Sequence, residues 1–97
     1  MDKAKTLQIL SSHLSEIQRR FAVEHLSLFG SVARDEAGSG SDVDILISYR
    51  ETPGLFRFLE LKDYLEKEMN CSVDLVTEKA LKKQLREKIM REAIRVS

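Results

Sequence analysis

The sequence holds one cysteine, and that scarcity is its first constraint. Cys71 stands alone among 97 residues, so no internal disulfide can form, and a reducing, cytoplasmic setting is the expectation. Charge of one sign is also lacking. Lys plus Arg and Asp plus Glu number sixteen each, so no global field marks nucleic acid or a membrane surface as a partner. No apolar run approaches the roughly 18–20 residues that span a bilayer. The opening Met1-Asp2-Lys3-Ala4-Lys5 leads into an amphipathic pattern instead of a signal-peptide core. No Gly-Lys-Ser/Thr phosphate loop occurs. Gly38-Ser39-Gly40 precedes a strand-like stretch and not a helix, which rules out a dinucleotide fingerprint. His13 and His25 have no ligand-spaced partner and read as surface or packing residues, and Cys71 reads as a small core residue.

What remains is an ordinary globular composition. Hydrophobic residues make up 42% and charged residues 33%, which supports a folded chain and argues against disorder. At this length one domain over residues 1–97 is expected, with a modest core. Leu7, Leu10, Leu14, Ile17 and Phe21 recur at spacings of three and four, the face of one helix. Residues 23–29 read as a strand ending at Gly30-Ser31, with a short helix following in some arrangements. Residues 37–41 form a loop by composition, and Val43-Asp44-Ile45-Leu46-Ile47 reads as a second strand. A helix is expected over 54–69, a third strand over 73–76, and a last helix capped by Thr77 that lines Leu81, Leu85, Ile89 and Ala93 on one face. The class is α/β or α+β, a small mixed β-sheet flanked by helices.

The second and third strands carry acids where a buried strand should have none. With a period of two, Val43, Ile45 and Ile47 share one face, while Asp42, Asp44 and Leu46 share the other. Asp74 sits within Val73-Asp74-Leu75-Val76, another core-like stretch. Carboxylates crowded together repel one another and raise their pKa values, so a cation between them is expected. Hard oxygen ligands without paired His or Cys suit magnesium or manganese and argue against zinc. An Asp-x-Asp triplet alone is more often a turn or cap, and a Gly-Ser turn alone is more often structural. Their conjunction is more informative. Gly30-Ser31 closes a strand and offers free backbone N–H groups to phosphate, and ten residues separate Ser31 from Asp42. A phosphate cradle and a carboxylate pair, each at a strand end, make a metal–triphosphate site.

These residues resemble a known family. Gly30-Ser31, ten residues and Asp42-Val43-Asp44 look like the motif of the DNA polymerase beta-like nucleotidyltransferase superfamily. The wider string Leu28-Phe29-Gly30-Ser31-Val32-Ala33-Arg34 with Ser41-Asp42-Val43-Asp44-Ile45-Leu46-Ile47 is similar to minimal nucleotidyltransferase (MNT) domains. Val73-Asp74-Leu75-Val76 and the closing segment 85–93 fit the same pattern. Two departures stand out: Asp35 where many relatives have Gly, and Ser39 where Pro is common. Asp tolerates left-handed backbone better than most residues.

The resemblance implies a minimal polymerase-beta-like nucleotidyltransferase fold and an active enzyme. Asp42, Asp44 and Asp74 are then the catalytic residues and the ligands of two magnesium ions. Gly30 and Ser31 hold the phosphates of ATP, the expected substrate. Arg34 and Ser41 join the nucleotide-binding set, Arg34 with a surface ion pair as its equal alternative and Ser41 with the simpler task of orienting Asp42. The chain has little room for an acceptor pocket beyond the nucleotide site, so the acceptor should bring its own surface, as a protein would. MNT proteins act as antitoxins of HEPN-domain toxin ribonucleases, which makes such a toxin the expected partner, with AMP transfer to a tyrosine hydroxyl as the expected mode. A non-catalytic antitoxin that works by stable complex formation is the alternative. Transfer to a small molecule such as an aminoglycoside suffers from the missing acceptor domain, and transfer to RNA from the neutral charge. Neither direct nucleic-acid binding nor membrane attachment is expected, and homo- and hetero-oligomers both remain open. The basic excess on the last helix, Lys79 to Arg95, reads first as a solvated face.

Overall fold

The computed structural model describes residues 2–36 and 42–97. Its first helix, α1 (Lys3–Phe21), starts where the Asp2 side chain accepts from the Lys5 N–H at 2.7 Å, an N-cap that satisfies one of the free donors of the first turn. The Thr6 hydroxyl is fully buried and donates to the Asp2 carbonyl at 2.7 Å. Ala22, at φ 56°, reverses the chain into strand β1 (Val23–Phe29). A four-residue helical turn, α2 (Gly30–Ala33), follows directly, and strand β2 (Val43–Tyr49) lies beyond the loop. Helix α3 (Leu55–Met69) begins one residue later than its sequence pattern indicates, with Gly54 as its cap, and ends at Asn70 in left-handed geometry. Strand β3 (Val73–Thr77) leads through a 3-10 turn at Glu78–Ala80 to helix α4 (Lys83–Glu92) and a short strand, β4 (Ile94–Arg95).

The four strands form one mixed sheet in the order β3-β2-β1-β4. β1 pairs antiparallel with β2 and β4, while β2 and β3 run parallel with α3 as their crossover. The mixed α/β architecture expected from the sequence is therefore present. One face of the sheet, with Val43, Ile45 and Ile47 fully buried, packs with α1 and α3 through Leu10, Ile17, Leu61 and Leu65. Burying each such side chain contributes roughly 1.5–3 kcal/mol. Leu46 and Ile89 are also buried but stand apart from that core. Among the described residues, no helix is long and apolar enough to cross a membrane.

The C-terminal region departs from the sequence reading. Thr77 opens the 3-10 turn without a side-chain cap, and Leu81 and Lys82 run extended before the helix restarts. Of the expected apolar face only Ile89 is buried, while Leu85 is half exposed. Ala93 leaves the helix because the next residues pair with Ser27 and Leu28. Val96 then donates to the Leu26 carbonyl at 2.9 Å, and Leu26 donates to the Ser97 Oγ at 2.9 Å. Sheet hydrogen bonding overrides the helical pattern there.

The two histidines take surface and packing roles. His13 bridges the Tyr64 hydroxyl at 3.1 Å and Glu68 at 3.1 Å, and His25 accepts from Arg95 at 2.6 Å. Tyr64 also donates to Glu16 at 2.9 Å. Burial first, and then Glu16, pushes its phenol up to about 12. Cys71 is partly buried against the core, and burial raises its thiol pKa.

Candidate active site

The carboxylates gather where three strand ends meet. Because β1 runs opposite to β2 and β3, its last residue lies level with their first residues. Phe29 pairs with Asp44, and Asp44 pairs with Asp74 in register on the adjacent parallel strand. Neighbouring strands lie about 4.8 Å apart, and residues in register point to the same face. Asp44 and Asp74 therefore stand side by side on the face opposite the α1/α3 core. The start of β3 is fixed by Glu66 of α3, whose carboxylate accepts from the Val73 N–H at 2.9 Å. Asp42 sits just before β2 and is exposed.

Electrostatics follow from that crowding. Asp44 is half-buried, and its pKa is raised, first by burial, then by the charge of Asp74 and a hydrogen bond with it, and then by Asp42. Arg34 offsets part of this shift. Among the described residues no three His, Cys, Asp or Glu groups close around a single point. Asp44 and Asp74 form the assembled pair, and Asp42 acts on it from the strand entrance.

Gly30 is the residue against which this pair is built. Its φ is +74°, a conformation that L side chains avoid. A Cβ placed there would lie 2.0 Å from the Asp44 Oδ2. Backbone and carboxylate thus approach so closely that only glycine fits. Ser31 follows at the start of α2, where the leading N–H groups have no partner within the helix. The turn is closed by Arg34 N–H to Gly30 O at 3.1 Å and Glu36 N–H to Ser31 O at 2.9 Å. Asp35 adopts φ 60°, a left-handed geometry that Asp tolerates better than most residues. The acid pair, its like-charge strain and the cradle a Cβ would fill all fit a divalent cation bound with a phosphate group. The donor set is hard oxygen, as magnesium requires.

Arg34 does not point freely at this pair. Its Nε donates to Glu36 at 3.0 Å and its Nη1 to Glu92 at 3.2 Å. The surface-pair alternative therefore describes its resting contacts, although it lies near enough to influence Asp44. Glu92 carried no sequence signal, since it lies 58 residues from Arg34. Ser41 and Ser39 fall outside the described residues, as does Gly38-Ser39-Gly40.

Comparison with known proteins decides the family. The nucleotidyltransferase domain family matches residues 10–96, which include every one of these positions. The chain belongs to that family. As a nucleotidyltransferase it is similar to the protein adenylyltransferase MntA of Thermococcus cleftensis, at 42% identity over 91% of this chain and 89% of the relative. It also resembles a solved chain assigned as a minimal nucleotidyltransferase, with 37% identity, TM-score 0.83, and 97% and 95% of the two chains covered. A third likeness is to a complex of a tri-AMPylated Shewanella oneidensis HEPN toxin with its MNT antitoxin. There the TM-score is 0.69, with 94% of this chain and 71% of the other covered, and 19% identity limits the likeness to the fold.

Proposed function

We propose that this chain is a magnesium-dependent protein adenylyltransferase that moves AMP from ATP onto a hydroxyl of a HEPN-domain toxin and so acts as its antitoxin. The observation that supports this most is the Asp44–Asp74 pair set in register on adjacent strands against the Cβ-free backbone of Gly30. An acid whose pKa is raised by burial and by a second acid beside it is a poor choice for stability and a good one for a cation site.

In this reading Asp42, Asp44 and Asp74 hold magnesium, and Gly30 and Ser31 receive the triphosphate tail through backbone N–H and hydroxyl donors. Bound magnesium would neutralise charge on the attacking and leaving oxygens of an in-line displacement. The acceptor oxygen forms a bond to the α-phosphorus, the bond from that phosphorus to the β-bridging oxygen breaks, and pyrophosphate leaves. Asp74, more exposed than Asp44, is the group we assign to take the hydroxyl proton. Arg34 leaves Glu36 or Glu92 for a phosphate oxygen when nucleotide binds. AMP adds bulk and negative charge to the toxin, which repels the RNA phosphates it must bind.

The names of the relatives support the same direction: one is a protein adenylyltransferase, and one complex holds an AMPylated HEPN toxin with an MNT antitoxin. The test is intact-mass measurement of the HEPN partner after incubation with this chain, ATP and magnesium. A gain of one or more AMP units is expected. Unchanged mass with the ribonuclease still inhibited would transfer the role to stable complex formation.

A further inference from the structure

Asp74 stands on a short strand at the edge of the sheet. β3 has five residues and, among the described residues, pairs with β2 alone. A slip of one residue along β2 would turn Asp74 toward the core and break the acid pair. The place of Asp74 beside Asp44 therefore depends on what fixes the start of β3.

The backbone shows where that fixing is needed. The Val43 N–H donates to the Ser72 carbonyl at 3.0 Å. In a parallel ladder of this phase, Asp74 turns its N–H and C=O toward β2, and Val73 turns its own toward the open edge. Among the described residues no strand lies there to receive the Val73 N–H. The Glu66 carboxylate receives it instead, at 2.9 Å, from a position one turn before the end of α3.

Glu66 is an odd choice for that position if α3 is considered alone. The C-terminal end of a helix carries partial negative charge, and an acid there is unfavourable. Among the described residues Glu66 makes no ion pair that would offset this. Glu68, at the same helix end, does have such a partner, His13 at 3.1 Å. The contact that accounts for Glu66 is the Val73 N–H.

We propose that Glu66 is a positioning residue for the cation site: it caps the free edge of β3 at the residue before Asp74 and so keeps Asp74 level with Asp44. It takes the place of a missing neighbouring strand at the one residue where a slip matters most. Asp74 faces away from the α1/α3 core, so Glu66 acts through the backbone and touches neither cation nor acceptor. This role rests on the cation-site reading given under Proposed function.

The test compares Glu66→Ala, Glu66→Gln and Glu68→Ala in the full chain, by amide hydrogen exchange and by transfer kinetics. In Glu66→Ala the Asp74 amide should exchange about tenfold faster as β3 opens locally. The Leu10 and Ile17 amides of α1 should keep their wild-type rates. The same variant should lower kcat about tenfold, the scale for losing a group that orients a metal ligand. Its KM for ATP should stay within about twofold, because the Gly30–Ser31 turn is untouched. Glu66→Gln keeps a carbonyl oxygen for the Val73 N–H and should return both readouts to within about threefold of wild type. Glu68→Ala removes an acid from the same helix end and should alter neither.

An unchanged Asp74 amide or an unchanged kcat in Glu66→Ala overturns the proposal. Equal acceleration of the α1 amides also overturns it, since that marks a general loss of stability. A Glu66→Gln protein no better than Glu66→Ala does the same. A wild-type chain that transfers nothing overturns the adenylyltransferase reading instead, and the exchange rates still decide whether Glu66 holds Asp74.

Discussion

The two faces of β2 obey opposite rules. On one, Val43, Ile45 and Ile47 are fully buried against α1 and α3, and every side chain is what the packing asks for. On the other, Asp44 stands half-buried beside a second acid, and its raised pKa records the conflict. The first face contributes stability and the second gives some of it up. A strand seven residues long thus keeps structural and chemical duties apart by the alternation of its side chains alone.

Substitutions on the two faces should separate cleanly. The largest effect is expected from Asp44→Asn, which keeps the size of the side chain and removes its charge. Transfer should fall about a thousandfold, the value of several kcal/mol of lost charge stabilisation, while the melting temperature holds or rises. A melting temperature that collapses in Asp44→Asn would erase the distinction between the faces. Ile45→Ala should do the reverse, costing about 3 kcal/mol of stability through the cavity it leaves. Its rate per folded molecule, measured well below the melting point, should stay near normal.

Gly30→Ala sharpens the comparison, because Gly30 belongs to both accounts. The new Cβ would overlap the Asp44 carboxylate and force left-handed backbone on alanine. Chemical denaturation should register roughly 1–3 kcal/mol of strain, with transfer lost alongside. Glu92→Gln is a smaller change. Loss of an exposed ion pair should leave the melting temperature nearly unchanged, and the readout is a change in the Michaelis constant for ATP as Arg34 is released.

The smallest effect concerns pH. A carboxyl whose folded pKa is raised contributes most to stability when protonated, and that contribution is lost as pH rises through the folded value. Without divalent ions the chain should therefore carry a stability penalty at neutral pH that acidification through the Asp44 titration relieves. Asp44→Asn should flatten that part of the profile. Magnesium with nucleotide should flatten it as well.

Much of this was legible in the sequence because the signals were local. Alternation in residues 43–47 separated the faces, the spacing of Leu10, Ile17 and Phe21 marked α1, and Gly30-Ser31 lay ten residues before Asp42. The register that brings Asp44 beside Asp74 is a pairing between strands, and no local pattern specifies it. The same limit hid β4, whose two residues are too few for periodicity and whose hydrogen bonds reach back to Ser27 and Leu28. It also hid Glu92, and it made the last helix read as longer and better buried than it is.

The central claim is that Asp44 and Asp74 form a cation site completed by nucleotide at Gly30. Electron paramagnetic resonance of manganese tests it directly, since the free-ion signal disappears on binding. With a non-hydrolysable ATP analogue present, the chain should deplete that signal beyond what the analogue does alone, and Asp44→Asn should not. Equal depletion by both proteins, or none by either, would contradict the account.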